Sequence, residues 1–341
     1  MYNLFVRDVV NNVDYEIPFE SISFTDELNV GANANIVLNY DAVYDMIRAY
    51  NVDPMFVLTA ARRELWVEKN GTKVFYGMIS DCQINMNPSG FVTLTVAAMS
   101  FFNQFAKRRT DDLREFIATD AGEIAWTLID ESQADPHGDL GITEGSITAS
   151  VDRDRTFKFA NIKDEITQMS NLHLANGFDF DIDNTKKFNV YYPTKGSQRA
   201  NLVLDEETIM SWSQHTPLLS TLTNRVYVLG QGELFVQRDS DNVYKEAFGL
   251  QEDVLPARDI ITTATLDDKG DKLLELQQAP MPSIDITHIG DDPEVTDYEV
   301  GDSLRVTIAQ LGITDEFKRV FKRTVNIDSN GLATVTDAIY V

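Results

Sequence analysis

The sequence predicts a mainly β protein with an α+β insert: two related antiparallel β-barrel domains flanking a small α+β domain. Three observations carry this prediction. Two-residue alternation with glycine-bearing turns fills both ends of the chain, the spacing turns helical after Arg109 and reverts after Pro193, and a string of strands near Gly90 is echoed near Gly331. The implied divisions are a first β-barrel over residues 1–109, an α+β insert over 110–200, and a second β-barrel over 201–341 that includes a helix near 265–278.

Each element has a local reason. Residues 19–29, FESISFTDELN, alternate and then turn, and Ala34–Leu38 is a second short strand. Asp41 is placed to cap a short helix, DAVYDMIRAY. ELWVEKNGTKVFYGMI folds into a hairpin at Asn70-Gly71, because both residues tolerate positive φ. DCQINMNPSGFVTLTVAA makes a second hairpin at Pro88-Ser89-Gly90. In the middle region Thr119 or Asp120 caps AGEIAWTLIDES, whose Ile124, Leu128 and Ile129 share one face. Asn161 opens IKDEITQMSNLHLANG, which stops at Gly177. GFDFDID and KFNVYYP then read as strands about Asn184-Thr185-Lys186. In the last region TNRVYVLGQGELFVQR gives two strands about Gly230 and Gly232, and Thr265–Gln278 gives a helix ended by Pro280 and Pro282. YEVGDSLRVTI, FKRVFKRTVNID and GLATVTDAIYV are the closing strands.

The echo aligns ELWVE, KVFYGMISDCQINM, NPSG and FVTLTV with SLRVTI, KRVFKRTVNI, DSNG and LATVT. It sets Leu65 against Leu304, Val74-Phe75 against Val320-Phe321, Gly90 against Gly331, and Thr93 and Thr95 against Thr334 and Thr336. Two β-meanders can also resemble each other by chance, and superposing the two segments separates the readings.

Composition narrows the function. Acidic residues number 54 against 29 basic ones, a formal net charge of −25, and such a surface repels phosphate rather than holding nucleic acid. Cys82 is the one cysteine, which rules out an internal disulfide and suits a reducing cytoplasm. The N-terminal string has no basic stretch followed by an apolar one, so a secretory signal is not expected, and no run of 18 apolar residues occurs.

Catalytic chemistry needs convergent ligands or an activated nucleophile, and the sequence offers neither in a recognisable motif. His137, His173, His215 and His288 are scattered and read as solvated or core histidines. Gly230-Gln-Gly232 lacks the third glycine of a dinucleotide loop. Asp179, Asp181 and Asp183 form a calcium candidate, since alternation puts their carboxylates on one face and Phe178, Phe180 and Ile182 on the other. However, Asn184 stands at the glycine position of a calcium loop and Val190 at its closing glutamate. The competing reading is a solvated outer face, on which replacing all three by Asn leaves fold and assembly largely intact. Lys107, Arg108 and Arg109 are a basic cluster in an acidic chain, read either as helix-end solvation or as a subunit or domain interface with an acidic neighbour.

WVEKNGTKVFYGMI (66–79) running into LTVAAMSFFNQFAKRRT (94–110), followed by TNRVYVLGQG (223–232) and YEVGDSLRVTI (298–308), resembles the tail-tip or baseplate hub proteins of tailed bacteriophages. The resemblance implies a structural virion protein with a tube-ring domain at 1–109, two related barrels per subunit, and a homotrimer. Six similar units would dock onto a six-fold tail tube or distal tail protein on one side and three-fold tip or fibre proteins on the other. They would ring a channel whose acidic wall is in passive contact with DNA. The implied location is the virion tail tip, assembled in the host cytoplasm, with no catalytic residues, no cofactor and no membrane insertion. Three alternatives stay open: a carbohydrate-binding adhesin or receptor-binding tail module using Trp66, Trp126 and Trp212, an acidic hydrolase, and a hexameric distal tail protein.

Overall fold

The computed structural model describes residues 1–9, 12–48, 57–58, 63–170, 177–216, 222–257, 260, 262–279, 282–290 and 292–340. The first region contains strands β1 (Tyr2–Asp8), β2 (Val13–Ile17), β3 (Ser21–Glu27) and β4 (Asn33–Asn39), helix α1 (Tyr40–Arg48), then β5 (Arg63–Lys69), β6 (Thr72–Met86) and β7 (Val92–Met99). The middle region runs α2 (Phe101–Gln104), β8 (Arg114–Asp120), α3 (Ala121–Ala134), β9 (Thr143–Ile147), β10 (Asp152–Phe157), α4 (Ile162–Ser170), β11 (Asp179–Ile182) and β12 (Lys187–Tyr191). The last region holds β13 (Gln198–Leu204), β14 (Ile209–His215), β15 (Arg225–Leu229), β16 (Phe235–Asp239), α5 (Asn242–Phe248), β17 (Glu252–Pro256), α6 (Thr263–Gln277), β18 (Ser283–Ile289), β19 (Ser303–Ile308), β20 (Ile313–Ile327) and β21 (Ala333–Tyr340). The mainly β expectation therefore holds. Asp120 caps α3 as the spacing required, accepting bonds from the Gly122 and Glu123 amides. The end of the helix expected to reach Gly177, together with His173 and Pro280, lies outside the described residues.

One large sheet organises the molecule, in the order β14-β18-β21-β20-β3-β4-β7-β6-β5-β1-β2, with β19 on β20 and β13 on β19. Among the described residues its two ends do not pair. A first core under β1–β7 gathers Leu4, Ile36, Val67, Phe75 and Val96, and a second gathers Leu204, Ile284, Leu304, Val306 and Ile339.

The echo is a structural repeat. β5-β6-β7-β4-β3 and β19-β20-β21-β18-β14 are neighbours in the same order, every adjacent pair antiparallel. β6 and β20 both have 15 residues, and β7 and β21 both have 8. Each long strand bulges at the same step, the ladder skipping Ser80 in one and Phe321 in the other. The turns between them match bond for bond. Asn87 Oδ1 accepts from the Ser89 and Phe91 amides, and Asp328 Oδ1 accepts from the Asn330 and Leu332 amides. Gly90 at φ 83° and Gly331 at φ 79° occupy the left-handed position that a β-carbon disfavours. Leu65 pairs with Gly77 and Leu304 with Lys318, at the same step of the two long strands, so Leu65 does correspond to Leu304. The matching of Val74-Phe75 to Val320-Phe321 is wrong: Val320 stands where Ile79 does. The error came from the opposite hairpin, which turns through Asn70-Gly71 in one copy and a 3-10 turn, Ala309–Leu311, plus Gly312 in the other.

The middle region packs on the outside of the first domain. Trp66, Tyr76 and Met78 face away from the first core and join Phe101, Phe102, Phe105, Ile124, Phe180 and Phe188 in a third core. The strands about Gly230 and helix α6 do not enter the large sheet. They form a separate three-stranded sheet, β16-β15-β17, with its own core of Val226, Val228, Leu266 and Leu273, hung between β14 and β18.

Candidate assembly interface

Inside the chain, the two β-domains are stitched by one antiparallel seam, β3 against residues 322–327 of β20. Ile22 faces Ile327 and Phe24 faces Val325 on the core side. On the free side Ser23 Oγ donates to Asn326 Oδ1 at 2.7 Å, Thr25 and Thr324 share a hydroxyl bond at 2.9 Å, and Lys322 lies 3.6 Å from Glu27.

The repeat places a second copy of each half of this seam elsewhere on the surface. Ile22 pairs with Ile36, and Trp212 pairs with Ile286 at the same step of β18, so β14 stands where β3 stands. Residues 81–86 of β6 stand where 322–327 of β20 stand, since each follows the shared bulge and precedes the shared turn. Among the described residues, β14 pairs only with β18, and 81–86 pairs only with β7, so both outer edges are unpartnered. Exposure follows. Ile327 and Val325 are 2% and 0% exposed, whereas their counterparts Met86 and Ile84 are 73% and 51% exposed. Ile22 is 1% exposed and its counterpart Trp212 37%. An exposed apolar strand edge is a template for another strand.

The sheet face away from the cores carries Ser21, Ser23, Thr25, Asn33, Asn35, Thr93, Thr95, Thr287, Thr324, Asn326, Thr334 and Thr336. Along β3, β4, β7, β14, β18, β21 and the turn-side halves of β6 and β20 its charges are Glu27 and Lys322, in contact with each other, Asp81 and Asp285, whereas farther out the same face carries Arg7 on β1 and Arg305 paired with Asp315. This central stretch of the sheet is therefore nearly uncharged.

Asp179 and Asp181 of β11 do not lie on a solvated face, contrary to the alternation argument. That face is covered, because the second domain packs against it. Asp179, 6% exposed, accepts from Asn29 Nδ2 at 2.9 Å and the Lys195 amide at 2.7 Å, and it pairs with Arg319. Asp181 holds Lys195 Nζ at 2.7 Å, and Lys195 also reaches Glu299 at 3.1 Å. Asp183 closes the hairpin onto the Thr185 and Lys187 amides. Asp179 thus ties the insert to the first β-domain through the Asn29 amide and to the second through Arg319, and Asp181 reaches the second through Lys195 and Glu299. Among the described residues no three acidic, histidine or cysteine side chains gather as a metal set. Beside this joint lies a cavity of about 200 Å³ lined in part by Asp26, Asp181, Lys195, Tyr298, Glu299 and Arg323. Burial raises the Asp26 carboxyl above its usual range, against the pull of Lys195 and Arg323.

The basic cluster is split. Lys107 is exposed, Arg109 bonds the Ala106 and Arg108 carbonyls, and Arg108 donates to the Ser132 carbonyl at 2.8 Å and the Gly138 carbonyl at the far end of α3. Its partners are the Ser132 carbonyl in the last turn of the helix and the Gly138 carbonyl in the loop that follows, which suits a cation at a helix C-terminus. His137 and His215 are exposed, and His288 is fully buried. Trp66 is buried, and Trp126 stacks on Phe188, which leaves Trp212 as the most accessible indole. The edge pair has a sequence signal of its own: Ile84, Met86 and Trp212 are large apolar residues in otherwise polar strand ends.

No family model and no curated protein matches the sequence. Solved structures do match the fold, and phage tail proteins and a type VI secretion component are among them. The chain is similar to a tail protein from Neisseria meningitidis MC58, with a TM-score of 0.69 and 12% identity over 100% of this chain and 96% of that one. It is similar to the 43 kDa tail protein of prophage MuSo2 from Shewanella oneidensis, with a TM-score of 0.68 and 11% identity over 99% and 97% of the two chains. A component of the Escherichia coli type VI secretion system, itself described as similar to T4 tail proteins gp27 and gp5, matches with a TM-score of 0.56 and 8% identity over 95% and 73%. At these identities the likeness establishes the fold.

Proposed function

We propose that the chain is a non-enzymatic structural subunit of a phage tail tip, a baseplate hub that closes as a homotrimer around a channel. The observation that carries this reading is the pair of unpartnered edges. Each is half of a seam that the chain already forms once within itself. Setting β14 of one copy against residues 81–86 of the next pairs Trp212 with Met86, Ser213 with Asn85, Gln214 with Ile84 and His215 with Gln83. Ser213–Asn85 then repeats the Ser23–Asn326 bond of the internal seam. Burying Met86, Ile84 and Trp212 stabilises the joint by about 2 kcal/mol per side chain.

Pairing of this kind is head-to-tail, so it ends only by closing a ring. Three copies give six like β-domains, a number that meets both a six-fold tube or distal tail protein and three-fold tip and fibre proteins. The cores and outer strands need the larger circumference, so the hydroxyl- and amide-bearing face turns inward. DNA would then pass a nearly uncharged wall in passive contact. The domain division 1–109, 110–200 and 201–341 stays the working one, with the small α/β module carried on the third part. The site of action is the virion tail tip, after assembly in the host cytoplasm.

Native mass spectrometry tests the trimer. The purified chain is expected at three copies, and Ile84→Lys with Met86→Lys at one, with its thermal midpoint nearly unchanged because β6 keeps β7. Cys82 sits on the same edge and is half-buried in the single chain, so its thiol is expected to react much more slowly with maleimide in the assembly. A monomeric wild-type chain with an unprotected thiol refutes the hub reading.

A further inference from the structure

The ring proposed above has two rims, and the topology makes them chemically different. β6 ends and β7 begins at one rim, through the turn Asn87–Phe91, and β20 and β21 meet at that same rim through Asp328–Leu332. At the opposite rim β7 ends at Met99 and leads into α2 and the insert, and His215 of β14 and Ser283 of β18 receive the α/β module. The two β-domains are thus alike at the turn rim and unlike at the other. Helix α1 starts at the turn rim of the first domain only, but its Val43 and Ile47 pack inward on the first core.

Each matching turn ends in a large apolar residue that is left in solvent, Phe91 at 42% and Leu332 at 52% exposure. Leu332 belongs to a domain whose seam with β3 is already formed, so completing a seam does not cover this position. By the same equivalence Phe91 stays exposed after the ring closes. Assembly of the trimer therefore leaves six apolar side chains at near-equivalent places on one rim, each beside polar groups of its turn, Ser89 in one and Ser329 and Asn330 in the other, where Asp328 adds a carboxylate whose oxygen is taken up by the Asn330 and Leu332 amides.

We infer that the turn rim is the face that takes the six-fold partner, with Phe91 and Leu332 as its alternating anchors, and that the opposite rim faces three-fold partners. This rests on the trimeric ring reading. The partner it fits is a ring with six identical apolar sockets bordered by hydrogen-bonding groups, because only such a ring meets two different chain segments in the same way. The opposite rim, which presents an insert and an α/β module alternately, offers no six-fold pattern.

Crosslinking in assembled tails tests this. Phe91→p-benzoylphenylalanine and Leu332→p-benzoylphenylalanine are irradiated separately, with Val254→p-benzoylphenylalanine on the exposed face of the α/β module as the control. The expected result is one and the same six-fold ring protein, identified by mass spectrometry, captured from positions 91 and 332 and not from 254. Phe91→Ser and Leu332→Ser are each expected to weaken attachment of that ring about tenfold while the trimer persists. Capture of different proteins at the two tips, no capture at either, or capture of the ring from position 254 overturns the inference. A chain that is not trimeric by native mass fails the hub reading instead, so the two failures are told apart.

Discussion

In the core of the first β-domain, Val96 lies beside Cys82 across the ladder and Leu38 lies one strand over. The matching places in the second domain hold Asp337, Arg323 and His288. Asp337 accepts from Arg323 Nε at 3.2 Å, from the Tyr298 hydroxyl and from His288 Nε2 at 3.3 Å, while Arg323 Nη1 donates to the Val295 and Tyr298 carbonyls. Burial pushes the Tyr298 hydroxyl well up, and Asp337 adds to it. Burial also opposes ionisation of Asp337, but Arg323 and His288 outweigh it and hold the carboxyl below its usual range. One strand plan thus accepts a dry interior or an ionic one. The ionic network sits at the seam that is covalently continuous, where Arg323 faces Asp26 across the ladder. The apolar version sits at the edge that the proposed trimer joins between separate copies. That division is physically sensible, because desolvating charges opposes association whereas covering Met86 and Ile84 favours it.

The largest test of this contrast removes the centre of the network. Asp337→Ala leaves Arg323 and His288 uncompensated and is expected to cost about 3–5 kcal/mol in denaturant unfolding. The equivalent change in the other domain, Val96→Ala, is expected to cost only about 2 kcal/mol. Equal losses would erase the distinction between the two interiors. A sharper version replaces the whole group, with His288→Leu, Arg323→Met, Asp337→Val and Tyr298→Phe together. That variant is expected to unfold within about 2 kcal/mol of the parent, less than the single alanine change costs.

Acid separates the domains in sign as well as size. Asp337 has a depressed folded-state pKa, so its contribution is present above the unfolded value near about 4 and is lost as pH falls through the folded one. The second domain is therefore expected to lose hydrogen-exchange protection before the first on acidification. Asp26 behaves oppositely, since a raised pKa means stability falls as pH rises from about 4 through the folded value. Asp26→Asn is expected to raise the thermal midpoint at neutral pH and to change nothing below about pH 4. A gain that persists in acid would assign the effect to packing in the cavity. The smallest expected effect is at the seams: Ser23→Ala costs the single chain about 1 kcal/mol without altering its copy number, whereas Ser213→Ala weakens only the trimer, by a similar amount.

Local chemistry made much of the fold legible. The Asn87 and Asp328 turns were readable because a side-chain acceptor precedes a glycine that must take positive φ, and the Asp120 cap because a carboxylate is needed where α3 begins. The alignment of Val74 with Val320 failed because residue similarity carries no information on hairpin length. The β11 aspartates were misread for a related reason. Alternation tells which side chains share a face, but not whether another domain will cover that face, as Arg319 and Glu299 do here. The independent α/β module was hidden because its strands alternate like those of the sheet that flanks it. That the two edges form a pair is not legible in the sequence, because only the strand-by-strand correspondence of the two β-domains shows which edges lack a partner.

The internal seam has one more consequence, which concerns shape errors. Head-to-tail subunits that bend by the wrong amount do not fail to associate; they wind past one another into an open spiral. In the proposed ring, half of the joints would be formed during folding of the single chain, at short range and before any neighbour arrives. The angle between β3 and β20 would then serve as a gauge that every later joint copies. A change that alters that angle, for instance at Thr25 or Thr324, would show itself far from its own position, as filaments of indefinite length in place of closed rings.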